Sequence, residues 1–208
     1  MVNCSVSEDF FKVFLDANVL AKPVTRTFLM AGGPASGFLA VWSKTAETQA
    51  NRHLGPRMVS VTTIRQRYGA RLTPIGKNPE RFAATSESDR QILADAEASG
   101  ALFLITEDVD DFAESDLTAS NVSAVNPDLF LSRYLTRAAY SSVINLFVKR
   151  QTSPPHTAAE LHAAIGRQHP QLFATYADLY ETRPQTPNSN PPLVQIRGPV
   201  SLPPAPGR

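Results

Sequence analysis

Four short apolar runs, set between helix-patterned stretches, limit what this chain can fold into more than any other feature. They are VFL at 13–15, GFLAVWS at 37–43, LFLI at 102–105 and NVSAV at 121–125. These runs are near-continuous rather than alternating, which is the pattern of strands buried on both faces of a parallel sheet. The connecting segments read as helices. TRTFLMAGG (25–33) runs to a Gly32–Gly33–Pro34 breaker, and Ser43 is placed to cap KTAETQANRH (44–53). In RMVSVTTIRQRYGARL (57–72), Met58, Val61, Ile64 and Tyr68 recur at helical spacing. Ser86 or Ser88 can cap a further helix whose apolar side is Ile92, Leu93 and Ala96, with Gly100 ending it. Strand alternating with helix predicts an α/β fold around a central parallel sheet.

Beyond that core, residues 127–181 read as all helical, with HTAAELHAAIGRQH a separate helix after Pro154–Pro155. The stretch from Arg183 to Arg208 holds eight of the seventeen prolines and no acid, so a disordered or extended tail is expected. No apolar run approaches the roughly 20 residues that span a bilayer, and no membrane association is expected. The start, MVNCSVSEDFFK, lacks the basic opening and apolar centre of a secretory signal. Cys4 is the only cysteine, which excludes an internal disulfide and points to the cytoplasm.

The net charge of +1 conceals an asymmetry. Arg52, Arg57, Arg65, Arg67, Arg71 and Lys77 fall in a stretch without acids, whereas Glu87 to Asp116 holds ten acids and one base, Arg90. An acidic centre beside a basic surface suits a polyanion handled through bound cations. Two solvated helix faces are the simpler alternative.

Four acids stand where strand ends or helix starts place them. Asp16 follows the first strand, Glu47 lies one turn past Ser43, Asp89 opens a helix, and Asp108 follows LFLIT. Open parallel sheets bind ligands outside the carboxyl ends of their strands, so these carboxylates are expected to converge. Like charges about 4 Å apart repel by roughly 4 kcal/mol at an effective dielectric near 20. A cluster of this kind therefore needs protons or cations, and an all-oxygen donor set favours Mg²⁺ or Mn²⁺. Such ions suit phosphodiester hydrolysis. His156, His162 and His169 match no standard ligand spacing and read as surface or packing residues.

Taken in order, LDANVL (15–20), WSKTAE (42–47), DRQILADAEASGA (89–101), LITEDVDDF (104–112) and NPDLFL (126–131) resemble the PIN-domain ribonucleases, including the VapC-type toxins of toxin–antitoxin pairs. The resemblance implies a three-layer α/β/α domain over 1–131 with its strand core from about residue 12. A helical extension at 132–182 and the Pro-rich tail at 183–208 would follow. It further implies a Mg²⁺- or Mn²⁺-dependent endoribonuclease with Asp16, Glu47, Asp89 and Asp108 as the acidic cluster. Asn18 and Thr106 would support it, with Ser43 as the cap behind Glu47. One branch of the family often carries Asn at the position of Asp108 and uses the acid of the "DF" pair, here Asp111. Asp108, Asp110 and Asp111 thus compete for the last metal position, Asp108 first and Asp111 second. Arg52, Arg57 and Arg65 are candidate RNA contacts. A cognate antitoxin and a homodimer are the partners the resemblance implies.

Two other classes fit parts of the pattern. A phosphohydrolase of the haloacid-dehalogenase type needs a second aspartate two residues after the first, where this chain has Asn18. A binding module with a silent PIN-like core would keep the fold without the chemistry.

Overall fold

Val13, Phe14 and Leu15 are wholly buried, as a strand covered on both faces must be. They belong to β1 (Phe11–Leu15), the centre of a five-stranded sheet in the order β2-β1-β3-β4-β5. The structure is a computed structural model and describes residues 10–151, 153–181 and 194–202. The other strands are β2 (Phe38–Val41), β3 (Phe103–Ile105), β4 (Ser123–Val125) and β5 (Ile196–Arg197). The first four are mutually parallel, with Val13 opposite both Ala40 and Phe103, and Phe103 opposite Ser123. Each expected strand is present: β1 starts two residues earlier than the VFL run, and the other three are trimmed by one to three residues.

The α-helices among the described residues are α1 (Ala17–Leu20), α2 (Pro23–Gly32), α3 (Lys44–His53), α4 (Val61–Tyr68), α5 (Glu87–Ala98), α6 (Glu114–Ser120), α7 (Pro127–Tyr134), α8 (Arg137–Arg150), α9 (Ala158–Ile165) and α10 (Pro170–Thr175). Helix α2 packs against α7 and α8, whereas α5 packs against α3 and α6. An aromatic group fastens α7 to the sheet: Phe130 and Tyr134 lie against Phe38 and Phe103, with ring centroids 4.7–6.5 Å apart. Aromatic pairs in this range contribute about 1 kcal/mol each beyond the area they bury. No helix among the described residues is long and apolar enough to cross a membrane.

The order of the strands is what places a site. The chain leaves β1 for β2 on one side, then returns to β3 on the other, so the carboxyl ends of β1 and β3 flank a reversal of strand order. Parallel α/β sheets bind ligands at such a reversal.

Two expectations need correction. The helix predicted over 57–72 is only Val61–Tyr68, because the Ser60 hydroxyl accepts from Thr63 N–H at its start and Gly69 turns left-handed (φ 63°) at its end. Of its proposed apolar side, Val61 is buried, while Met58 and Tyr68 are 39% and 54% exposed. The tail also departs from a solvated coil, since residues 194–202 return to the sheet. Here β5 pairs antiparallel with β4, Val125 opposite Ile196. Asn126 N–H donates to Gln195 O at 2.8 Å and Val200 N–H to Ser123 Oγ at 2.7 Å. Gly198, at φ 109°, lies so close to Val122 and Ser123 that a Cβ would sit 2.7–2.8 Å from their atoms. Cys4 and the rest of the Pro-rich stretch lie outside the described residues.

Candidate functional site

Asp16 leaves β1 with its backbone still in the sheet, its N–H donating to Ile105 O at 3.1 Å. Its side chain then caps α1, with Oδ1 accepting from Ala17 N–H at 2.6 Å. The other oxygen, Oδ2, accepts from the Thr106 hydroxyl at 2.8 Å, one residue past β3. Thr106 Oγ1 in turn accepts from Asn18 Nδ2 (3.1 Å) and from Asp108 N–H (3.2 Å). Asn18 Nδ2 also donates to Asp108 Oδ2 at 3.0 Å, and its Oδ1 accepts from Glu107 N–H. Thr106 and Asn18 therefore tie the two strand ends together through one hydroxyl and one amide.

None of these donors carries a positive charge. Asp16 is only 7% exposed. Burial pushes its carboxyl up, the bonds from Thr106 and Ala17 pull it down, and the charges of Asp89 and Asp108 push it up again, to about 6. Asp111 is also raised, by partial burial and then by Asp89, Asp108 and Asp110. Asp89 and Asp108 thus act electrostatically on both Asp16 and Asp111. Asp89 is held at the start of α5 by the hydroxyls of Ser86 and Ser88, the latter at 2.9 Å. Ser86 occupies the cap position but spends its hydroxyl on the Asp89 side chain instead of a backbone N–H.

Glu47 behaves differently. It has no exposed surface, and its carboxylate accepts from Arg65 Nε (2.8 Å), Thr62 Oγ1 (2.9 Å), Lys44 Nζ (3.3 Å) and Trp42 Nε1 (3.3 Å). Burial alone would raise its pKa, yet these four donors together hold it below the ordinary glutamate range. Neither Asp16 nor Asp111 feels Glu47 among its perturbing charges. Glu47 is thus matched by Arg65 and Lys44 instead of standing as an unpaired acid, and Arg65 is engaged instead of free for the role expected of it. Arg52 and Arg57 are exposed and make no ion pair among the described residues. Ser43 caps α3, its Oγ accepting from Ala46 N–H at 3.2 Å, and so positions Glu47 without touching the acids.

Asp110 is engaged in a contact that no local sequence pattern announces. Arg197 of β5 donates to its carboxylate at 2.6 Å and to the carbonyls of Asp110 and Phe112. The last strand thereby pins the loop that carries Asp108 and Asp111. The Ser86 and Ser88 contacts could have been read from SESD, where serine stands three residues before an acid at a helix start.

The remaining polar clusters are structural. Thr25 Oγ1 lies 2.9 Å from His169 Nε2, and His169 Nδ1 lies 3.9 Å from Asp128, an alignment resembling a hydrolytic triad. Thr25 and His169 are at most 1% exposed, so no substrate reaches them. Asp128 accepts from the N–H groups of Gln171 and Leu172 and so docks α10 on α7. His162 is buried against Phe173 and bonded to Tyr140 OH. The packing roles expected for these histidines agree with their surroundings. Among the described residues, no three His, Cys, Asp or Glu side chains come close enough to form a ready-made metal cage.

No family model, curated protein or solved structure matches this chain.

Proposed function

We propose that this chain is a divalent-metal-dependent endoribonuclease of PIN-like type, acting as the toxin of a toxin–antitoxin pair, with its centre at Asp16, Asp89, Asp108 and Asp111. One observation carries the reading: Asp16 is buried at the reversal of strand order, pressed by neighbouring carboxylates and bonded only to neutral donors. A buried carboxylate in that position needs a proton or a cation. The donors in reach are all oxygens, which fits Mg²⁺ or Mn²⁺ in chemistry, and the side chains would draw together on binding. When bound, such an ion activates water and stabilises the oxygens of a phosphodiester under attack. This chain's own residues supply the rest. Thr106 and Asn18 orient Asp16 and Asp108, Ser86 and Ser88 orient Asp89, and exposed Arg52 and Arg57 offer phosphate contacts.

A second reading has an observation of its own. Glu47 is matched by Arg65 and Lys44, and no three acids among the described residues form a cage, as in a PIN-like module that binds without cutting. Incubating RNA with the purified chain and Mn²⁺ separates the two. Cleavage that is abolished by chelator and by Asp16→Asn supports the nuclease. Cleavage unchanged in Asp16→Asn removes it, and RNA binding without cleavage favours the silent module.

A further inference from the structure

Helices α2, α4 and α8 enclose a cavity of about 700 Å³ to which no role has been given above. Its volume lies within the range of small-molecule pockets, roughly 300–1,000 Å³. Met30, Ile64 and Phe147 give it apolar walls, and Arg26, Arg67 and Arg150 also line it. No acidic residue among those described does. The site at the strand ends is the reverse: carboxylates without cations.

Arg26 is the anomaly. It is 5% exposed, yet the one hydrogen bond its guanidinium makes among the described residues is to the Leu20 carbonyl. A guanidinium has five N–H donors and does not give up its charge, so burying it with no counter-ion is costly. Elsewhere Arg65, Arg81, Arg137 and Arg197 each meet a carboxylate. None of the described carboxylates pairs with Arg26, Arg67 or Arg150, and Arg150 instead donates weakly to the Tyr68 hydroxyl at 3.5 Å. Tyr68 itself is more than half exposed at the rim. Three unpaired guanidiniums around an apolar hollow are complementary to a molecule with one anionic end and an apolar body.

We infer that this cavity binds a small organic anion, with a carboxylate or phosphate head on Arg26, Arg67 and Arg150 and an apolar body against Met30, Ile64 and Phe147. The inference stands apart from the nuclease reading, because none of these residues belongs to the acidic group. A neighbouring cavity of similar size, lined by His156, Glu160 and Arg167, serves as the internal control. There the charges are mixed in sign and His156 lies 3.7 Å from Glu160.

The test uses the full chain and 1-anilinonaphthalene-8-sulfonate, an aromatic sulfonate whose fluorescence reports binding, with decanoate, decyl phosphate, decanol and inorganic phosphate as competitors. Saturable binding is expected, displaced by decanoate or decyl phosphate. Decanol and inorganic phosphate, each lacking half the recognised chemistry, should compete at least about tenfold more weakly. Whichever of the two decyl anions competes better identifies the head group. Arg26→Met risks the fold, so the exposed pair carries the test. In the double variant Arg67→Ala/Arg150→Ala, folded by circular dichroism, affinity should fall about tenfold or more. Arg167→Ala and Asp16→Asn should bind like the parent. Absence of saturable binding, decanol competing as well as decanoate, or unchanged affinity in the double variant would overturn the assignment.

Discussion

Asp16 and Glu47 are both buried carboxylates beside the carboxyl edge of the same sheet, yet their pKa values move in opposite directions. Glu47 meets Arg65 and Lys44 with two further N–H and O–H donors, and it falls below its ordinary range. Asp16 meets a hydroxyl, an amide N–H and the fields of two other acids, and it rises to about 6. Burial is common to both, so the sign is set by whether positive charge comes with the donors. A carboxylate already matched by cations stabilises the fold. One left unmatched is open to something from solution, and that difference separates structure from site here.

The sharpest break in this comparison is Asp16→Asn. Asparagine keeps a capping oxygen for Ala17 N–H, so the fold survives while RNA cleavage in Mn²⁺ should drop more than about 100-fold. The variant should also shift stability with pH. Because the Asp16 pKa is raised on folding, its neutral form favours the native state below about pH 4, and that contribution is lost as pH rises through about 6. The penalty above that window is on the order of 3 kcal/mol, at 1.36 kcal/mol per pKa unit. Urea titrations across pH 4 to 7 without metal should therefore show Asp16→Asn gaining on the parent as pH rises.

Glu47→Gln should do the opposite. It leaves Arg65 half-buried with its charge unmatched, a loss of roughly 2–3 kcal/mol at pH 7 in the same titrations. A lowered carboxyl contributes stability above its ordinary pKa and loses it as pH falls through the depressed value. The gap between parent and Glu47→Gln should therefore narrow in acid, where the Asp16→Asn gap also closes from the other side.

Thr106→Val probes the neutral donors directly. Removing the hydroxyl that links Asp16, Asn18 and Asp108 should lower Mn²⁺ affinity by about 10- to 100-fold in a calorimetric titration. The smallest effect is expected for Arg197→Gln. Its ion pair with Asp110 is partly exposed, so stability should change by about 0.5 kcal/mol or less in urea. Loosening the loop that holds Asp108 should still weaken Mn²⁺ several-fold by calorimetry, with Arg197→Lys restoring part of it.

How much of this was legible in the sequence follows from range. Val13–Leu15 and Leu104–Ile105 announce themselves because a strand covered on both faces must be apolar throughout. Asp16 is readable for the same reason, as the first polar residue past its run, and Asp108 follows the second run two residues after Thr106. Strand β5 is not readable: two residues in a Pro-rich stretch, held by backbone pairing and by Gly198, carry no pattern of their own. Nor does helical spacing reveal what Glu47 faces. Position 47 on α3 is one turn past Ser43, as read, but Thr62 and Arg65 arrive from α4, 15 and 18 residues later, the first with a hydroxyl donor and the second with the matching charge. The Met58–Tyr68 stripe failed similarly, because periodicity shows a face without showing what covers it.

The most direct measurement is a calorimetric Mn²⁺ titration of the parent, Asp16→Asn and Glu47→Gln under conditions where all three are folded. Saturable binding in the parent and in Glu47→Gln, lost in Asp16→Asn, is the expected result if the unmatched acids hold the ion. Binding that survives in Asp16→Asn, or no binding by the parent at all, contradicts it.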